Sequence, residues 1–332
     1  QIHPEGPGGH EAADGARQAA DELSAMLLRP AERFLNGQPL LIVSDGALQY
    51  LPFAALPVPA SLAGPERVPL IAGHEVVSLP SASALAVLRH ELAGRPKAAK
   101  TLAVLADPVF RFTAAPETAA IVPQRGAIGD TRGSDFDPRL LPRLAFSRRE
   151  AEVIAGLVPQ GDLFKALGYD ASRAIVTSGK LAGYRLLHFA THGHIDSRRP
   201  ELSSLVLSLF NERGEPQNGL LRLHDIYALK LQADLVVLSA CQTALGQEIR
   251  GEGLVGLTRG FMYAGAARVV ASLWSVDDRA TSVLMERFYR HMISGRLSPA
   301  AALRQAQIEM SREPRWQDPY YWAAFSLQGE WR

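Results

Sequence analysis

The sequence of 332 residues has one cysteine, almost no net charge and no long apolar run. A single cysteine excludes an internal disulfide and any zinc site built from several cysteines. The 35 basic and 34 acidic residues leave a net charge of +1, so no overall field attracts the chain to nucleic acid or to a membrane surface. The longest apolar stretches, such as residues 235–238, are too short to cross a bilayer. These features predict a cytoplasmic protein that binds neither nucleic acid nor membrane.

Length and composition predict a large globular chain with three regions. Hydrophobic residues make up 47% and charged residues 21% of the sequence, which is ordinary for a protein with a sizeable core. Residues 1–20 are rich in Gly, Ala and His without periodicity and predict a flexible leader. The chain begins with Gln1 rather than methionine, so we expect a piece of a longer protein or a vector-derived residue. Residues 21–100, with a helix near 21–36 and short strands, predict an N-terminal α/β subdomain.

The third region, residues 101–332, alternates short apolar strands with helices. Such alternation predicts a mostly parallel central sheet covered on both faces, which is a three-layer α/β sandwich. His188 lies inside one of these apolar strands and is expected to be a core histidine bonded to the backbone. The predicted strands that matter most for function span residues 102–105, 186–190, 235–240 and 268–274.

Residues 112–143 carry Pro, Gly, Asp and Arg with little periodicity and predict a long loop. Its arginines, Arg125, Arg132 and Arg139, leave two alternatives open, either a regulatory or self-cleaved segment or simply a mobile loop. A helix is predicted soon after this loop, with Ser147 as its cap and a glutamate, residue 150, at the capping-box position.

Two of the predicted strands end in reactive side chains. Strand 186–190 runs into the sequence THGH, which contains His192 and His194, and strand 235–240 runs into Cys241. Because the carboxyl ends of parallel strands meet at one edge of the sheet, where open α/β sheets bind their ligands, we expect these side chains to lie in one cleft.

The chemistry of this cleft is predicted to be that of a cysteine–histidine pair. A thiol with a pKa of about 8.5 is only partly ionised at neutral pH, and a neighbouring imidazole can accept its proton. His192 precedes Cys241 by 49 residues, and a spacing of about 50 is typical of caspases. The backbone N–H groups of Gly193 and Cys241 are predicted to form an oxyanion hole.

The residues around these two positions resemble the CHAT-domain peptidases, a family related to caspases and separases and often found behind TPR arrays. The similarity covers about residues 20–332 and is carried by four sequence blocks, LLHFATHGHID, VVLSACQTALG, GEGLVGLTRGFMYAGAARVVASLWSVDD and DPYYWAAFSLQG. It implies a caspase-like α/β fold and a cysteine endopeptidase that cuts a protein or peptide substrate, with His192 as base and Cys241 as nucleophile. It also implies a regulated bacterial enzyme of the defence or cell-death type, controlled by a TPR region or a co-encoded partner.

Two other functions stay open. The chain could bind a partner peptide without cutting it. His192-x-His194-x-Asp196 is also the ligand pattern of zinc-dependent hydrolases. However, Ser197 stands where that pattern continues with histidine, so we expect no metal and assign His194 and Asp196 to the lining of the cleft. The glycine pair at 251–253 lacks the lysine of a phosphate loop, so we expect no cofactor.

Residues near the same edge of the sheet are candidates for the substrate pocket. Ser239 lies two residues before the cysteine, Trp274 ends the neighbouring predicted strand and Ser275 follows it. Asp277 and Asp278 come next, and two roles are open for them. One is to present a carboxylate to a basic P1 side chain, and the other is to cap the following helix.

Overall fold

A computed structural model describes residues 9–112, 136–196, 199–239, 241–242 and 253–331, and for residues 9–13, 241–242 and 253–255 it describes the backbone alone. The strands are, in chain order, β1 (Leu40–Val43), β2 (Val76–Leu79), β3 (Lys100–Ala106), β4 (Leu163–Leu167), β5 (Tyr184–Ala190), β6 (His192–His194), β7 (Ser204–Val206), β8 (Leu220–Arg222), β9 (Leu235–Leu238), β10 (Cys241–Gln242), β11 (Arg268–Ser272) and β12 (Phe325–Gly329). The α-helices are α1 (Gly9–Leu27), α2 (Ala82–Leu92), α3 (Ser147–Ala155), α4 (Arg173–Thr177), α5 (Leu223–Tyr227), α6 (Gly253–Tyr263), α7 (Asp278–Tyr289), α8 (Pro299–Ser311) and α9 (Pro319–Trp322).

Eight strands form one sheet in the order β1-β2-β12-β11-β9-β5-β3-β4. In the described part of the chain every neighbouring pair is parallel except β11 with β12. The central strand β9 is buried at every residue, which is typical of a parallel strand covered on both faces. The structure thus confirms the predicted, mostly parallel central sheet.

Two hydrophobic clusters cover the two faces of this sheet. Alternate strand residues such as Val104 and Val237 pack against α3, α7, α8 and α9 on one face. The residues between them, such as Leu105 and Val236, pack against α4, α5 and α6 on the other face. This arrangement confirms the predicted three layers. None of the helices in the described ranges has the length and apolar character needed to cross a membrane.

A second sheet of four strands, in the order β10-β6-β7-β8, lies beyond the carboxyl ends of two central strands. β6 starts two positions after the end of β5, and β10 starts three positions after the end of β9. β5 and β9 are parallel neighbours, so the two strands that follow them leave the main sheet at the same edge. This small sheet therefore collects the residues that the sequence predicts to be reactive.

The N-terminal region joins the main sheet, since β1 pairs with β2 and β2 pairs with β12. The domain boundary near residue 100 stays a prediction. The structure differs from the expected leader, because residues 9–20 belong to α1. Alanine is the best helix former, and the alanine-rich sequence of this segment favours the helix despite its weak apolar periodicity.

The predicted capping box at the start of α3 is wrong. The residue at the N-cap is Phe146, and Ser147 Oγ donates to the carbonyl oxygen of Leu144 at 2.8 Å. Glu150 is buried, and its Oε1 lies 2.8 Å from Nε2 of His188. His188 is a core residue, as expected, but its partner is this carboxylate rather than the backbone.

The predicted loop 112–143 is described only at its two ends, and Arg125 and Arg132 lie outside the described residues. The part after residue 135 packs against the rest of the chain. Phe136 is buried, and Arg139 pairs with the neighbouring aspartate at 2.7 Å. The last residues of the predicted loop therefore have defined contacts, some of them at the candidate site.

Candidate functional site

The small sheet brings the backbones of the predicted histidine and cysteine together. β6 and β10 are parallel, and their register pairs His192 with Cys241 and Gly193 with Gln242. Neighbouring strands lie about 4.8 Å apart, so the two backbones are adjacent although 49 residues separate them in sequence. The catalytic roles of His192 and Cys241 and the oxyanion role of Gly193 stay predictions at this point.

The imidazole of His192 is held in one orientation by the backbone of the preceding segment. The side chain is buried, and its Nε2 lies 2.7 Å from the carbonyl oxygen of Pro142. A carbonyl oxygen only accepts, so Nε2 carries the proton and Nδ1 of the neutral ring is unprotonated. Nδ1 is buried and has no hydrogen-bond partner among the described atoms. The ring therefore offers one free basic nitrogen.

Burial lowers the pKa of His192, and the hydrogen bond to Pro142 opposes this effect only in part. The imidazole is consequently neutral at neutral pH and can accept a proton. Such a neutral base with one unsatisfied nitrogen suits proton abstraction from a thiol.

An apolar cluster shields the two histidines of β6. The ring of Phe110 lies 5.4 Å from that of His192, tilted by 46°. The ring of Phe136 stacks on His194 at 3.7 Å with an interplanar angle of 6°. These phenylalanines belong to a cluster of buried residues that also contains Leu141, Val206, Leu209 and Leu220. The apolar shield explains why both histidines have lowered pKa values.

His194 stacks on Phe136 but its buried Nδ1 has no hydrogen-bond partner among the described atoms, whereas the carboxylate of Asp196 is bonded within the chain. Burial lowers the pKa of His194 to about 4, with Asp196 opposing and Arg222 adding to the effect. The Asp196 carboxylate accepts from the backbone N–H of Arg199 at 2.8 Å and lies 3.6 Å from its guanidinium. Across the described ranges, no three His, Cys, Asp or Glu side chains converge on a point where a metal ion could sit.

Three other pocket candidates lie close to the same edge of the sheet. Ser239 follows β9, is buried, and its hydroxyl has no partner in the described part of the chain. Trp274 follows β11 and donates from Nε1 to the carbonyl oxygen of Tyr320 at 3.1 Å. Ser275 is partly exposed. The topology brings these residues to one edge because β9 and β11 are parallel neighbours, and their contact with substrate stays a prediction.

The two aspartates at the start of α7 both have contacts within the chain. Asp277 is the N-cap and accepts from the N–H of Ala280 at 2.8 Å. Asp278 accepts from the N–H of Phe146 at 2.8 Å. Burial raises the pKa of Asp278, the bond to Phe146 opposes this, and the charges of Glu150 and Asp277 add to it. Asp277 therefore caps α7, which is one of the two roles left open for it. Binding of a basic P1 side chain stays a prediction for both aspartates.

Sequence reasoning missed the group of residues that surrounds His192. Pro142 falls in the predicted loop 112–143, and Phe110 follows an aspartate and a proline that come directly after β3 and to which no functional role was assigned from the sequence. That aspartate, Asp107, accepts from Arg143 Nε and Nη2 at 2.7 Å each and from Arg148 Nε at 2.7 Å. An aspartate directly after a buried strand at the functional edge was the available signal.

A family model described as "CHAT domain" matches residues 17–330. Among curated proteins, tetratricopeptide repeat protein 28 from Mus musculus is 37% identical over 110 residues, which is 33% of this chain and 4% of that protein. The Homo sapiens protein of the same name is 34% identical over 113 residues, 34% of this chain and 4% of that protein. This chain therefore matches only a small part of the length of these relatives.

Among solved structures, the separase–securin complex of Saccharomyces cerevisiae at 2.6 Å contains a similar fold. The TM-score is 0.52 and the sequence identity is 13%, and the similarity covers 88% of this chain and 16% of that chain. At this identity the similarity concerns the fold alone. Together with the sheet order, it confirms the predicted caspase-like α/β fold.

Proposed function

The chain belongs to the CHAT domain family, and we propose that it is a cysteine endopeptidase whose catalytic dyad is His192 and Cys241. The observation that carries the proposal is the register of the small sheet, which pairs these two residues on adjacent strands at the carboxyl edge of the main sheet. A buried neutral imidazole with a free Nδ1 supports the role of general base.

In the proposed reaction, Nδ1 of His192 accepts the thiol proton of Cys241. The thiolate then attacks the carbonyl carbon of the scissile peptide bond, and a C–S bond forms as the carbonyl oxygen becomes an oxyanion. The N–H groups of Gly193 and Cys241 are proposed to stabilise this oxyanion. The imidazolium returns its proton to the leaving amine as the C–N bond breaks.

The second half of the reaction uses the same histidine. A water molecule gives a proton to Nδ1 and attacks the acyl carbon, and the C–S bond breaks to release the carboxylic acid and the thiol. Because Pro142 accepts the other ring N–H throughout, the imidazole keeps its orientation during both proton transfers.

The substrate is proposed to be a protein or peptide that lies along the edge containing Ser239, Trp274 and Ser275. Asp277 or Asp278 is proposed to favour a basic side chain at P1. The similarity to tetratricopeptide repeat proteins supports control by a TPR region or another partner protein. A bacterial defence or cell-death role is proposed from the resemblance to the CHAT family alone.

The test is cleavage of a proteome-derived peptide library by the wild type and by the variants Cys241→Ala and His192→Ala. The wild type is expected to cut, Cys241→Ala to be inactive, and His192→Ala to lose about 10²- to 10⁴-fold in rate, which is the range for general base catalysis. His224→Ala is the matched control, because the His224 side chain is 68% exposed.

Each outcome separates the alternatives. The dyad is supported if EDTA does not affect peptide cleavage by the wild type and if Cys241→Ala does not cleave. Cuts that survive Cys241→Ala and stop with EDTA would instead support a metal-dependent hydrolase. If no peptide is cut, a thiol-reactive probe distinguishes an activated Cys241 from a binding module in which this thiol reacts as slowly as free cysteine.

A further inference from the structure

The residue after β3 combines two unusual features. Asp107 has a φ of 53°, and it is one of only two non-glycine residues with positive φ in the described ranges. Its side chain is 1% exposed. A left-handed backbone and a buried carboxylate both cost free energy, and such costs concentrate at functional sites. We therefore expect Asp107 to have a functional role in addition to its place at the end of β3.

Two arginines compensate the buried charge. Burial alone would raise the pKa of Asp107, but the hydrogen bonds and charges of Arg143 and Arg148 outweigh it and lower that pKa. Arg143 binds both carboxylate oxygens, in the two-pronged geometry that specifies direction as well as distance. The carboxylate thus stays ionised and fixes the position of Arg143.

The position of Arg143 matters because of its neighbour in the chain. Pro142 comes directly before it, and the Pro142 carbonyl oxygen accepts from Nε2 of His192. β3 and β5 are parallel with Ala106 opposite Ala190, so Asp107 starts the loop beside the one that leads to His192. Phe110, three residues after Asp107, packs against the His192 ring.

We propose that Asp107 is a positioning residue for the catalytic histidine, acting through Arg143 on the Pro142 carbonyl that orients the His192 ring. Two contacts of the ring in the described part of the chain, with Pro142 and with Phe110, come from segments that this ion pair joins. Without the pair, the Pro142 carbonyl is no longer fixed, Nε2 loses its acceptor, and Nδ1 no longer stays the unprotonated nitrogen. The inference rests on the proposed function for the role of His192 as base.

The test compares Asp107→Asn and Arg143→Met with the wild type. Asparagine tolerates the left-handed backbone, so Asp107→Asn removes the charge without adding backbone strain. Arg173→Met is the matched control, since Arg173 makes a two-pronged pair with the buried carboxylate of Asp225 on α5. Any effect of merely losing an arginine–aspartate pair appears in this control too.

Two readouts are measured on the full chain. The first is the pH dependence of the alkylation rate by iodoacetamide, which reports Cys241 alone because the chain has one cysteine. The second is the ¹⁵N NMR spectrum of the imidazoles, with the signals of His192 assigned by their loss in His192→Ala. Chemical shifts of this kind tell which ring nitrogen carries the proton, and a merely structural role would not move them.

We expect both Asp107→Asn and Arg143→Met to lower the alkylation rate at neutral pH about tenfold, since a misplacement of about 1 Å can cost up to about a hundredfold. Both variants are also expected to mix the two tautomers of His192, whereas Arg173→Met keeps the wild-type rate and spectrum. If Asp107→Asn does not fold, Arg143→Met alone decides the question.

Two negative results have different meanings. The inference is refuted if Arg143→Met has the alkylation rate and the imidazole ¹⁵N spectrum of the wild type. The dyad is still supported in that case if His192→Ala changes the pH dependence of alkylation. If His192→Ala leaves the alkylation profile unchanged, the proposed function fails. The NMR spectrum still tests the positioning of His192 in that case, because the tautomer does not depend on catalysis.

Discussion

Replacing Glu150 by alanine tests how far the fold depends on one fully buried pair. The side chain of Glu150 is 2% exposed and that of His188 is 0% exposed, and their contact of 2.8 Å joins α3 to β5. Nδ1 of His188 already has no partner in the described part of the chain, so Glu150→Ala would leave both ring nitrogens unsatisfied. Removal of one member of a buried pair costs about 3–5 kcal/mol.

The unfolding temperature gives the measurement. Unfolding entropy is about 2.1 cal/mol/K per residue, so for 332 residues a loss of about 3–5 kcal/mol corresponds to roughly 4–7 °C. The matched control is Glu152→Ala, an exposed glutamate on the same helix, for which we expect a change of less than about 1 °C.

A double variant isolates the cause. Glu150→Met with His188→Phe replaces the pair by apolar side chains next to the ring of Tyr289, which lies 5.4 Å from His188. Such replacements are often neutral or stabilising, so we expect the double variant to unfold within about 2 °C of the wild type. The reasoning is refuted if Glu150→Ala unfolds at the temperature of Glu152→Ala, or if the double variant is less stable than Glu150→Ala.

Three further predictions concern pH, backbone geometry and capping. Burial lowers the pKa of His194 from 6.5 to about 4 in the folded chain. Between these pH values the unfolded chain therefore binds more protons than the folded chain, and the free energy of unfolding decreases as the pH drops from 6.5 to 4. His194→Phe should flatten this dependence of the denaturation midpoint. Gly265→Ala, at a φ of 109° with a backbone carbonyl against the added Cβ, should lower the unfolding temperature, whereas Gly183→Ala, with open space, should not. Asp277→Ala should cost about 1 kcal/mol as a lost N-cap, and a denaturant midpoint that does not move would contradict the capping role.

Local patterns were sufficient for the elements that build the main sheet. The apolar runs that become β3, β5 and β9 are short, rich in Leu and Val and followed by polar residues, so their type follows from propensity and burial. Parallel strands share one functional edge, and the sequence therefore predicted that His192 and Cys241 meet there. The helical segment 9–20 was missed although its alanine content favours a helix.

Contacts between segments far apart in the chain could not be predicted in this way. Pro142 lies 50 residues before the His192 that it orients, and Glu150 lies 38 residues before His188. The local pattern around Glu150 was that of a capping box, and the competing contact with a buried histidine determined its position instead. A pattern within one segment contains no information about which other segment packs on it.

The sequence by itself predicted β3, β5, β9 and β11 and the meeting of His192 with Cys241 at one edge of the sheet, because hydrophobic periodicity and residue chemistry are local properties. Only the tertiary structure decided the register of β6 with β10, the proton position on His192 and the partners of Asp107. These depend on how distant segments pack, since a buried polar group takes whichever partner the fold brings within reach.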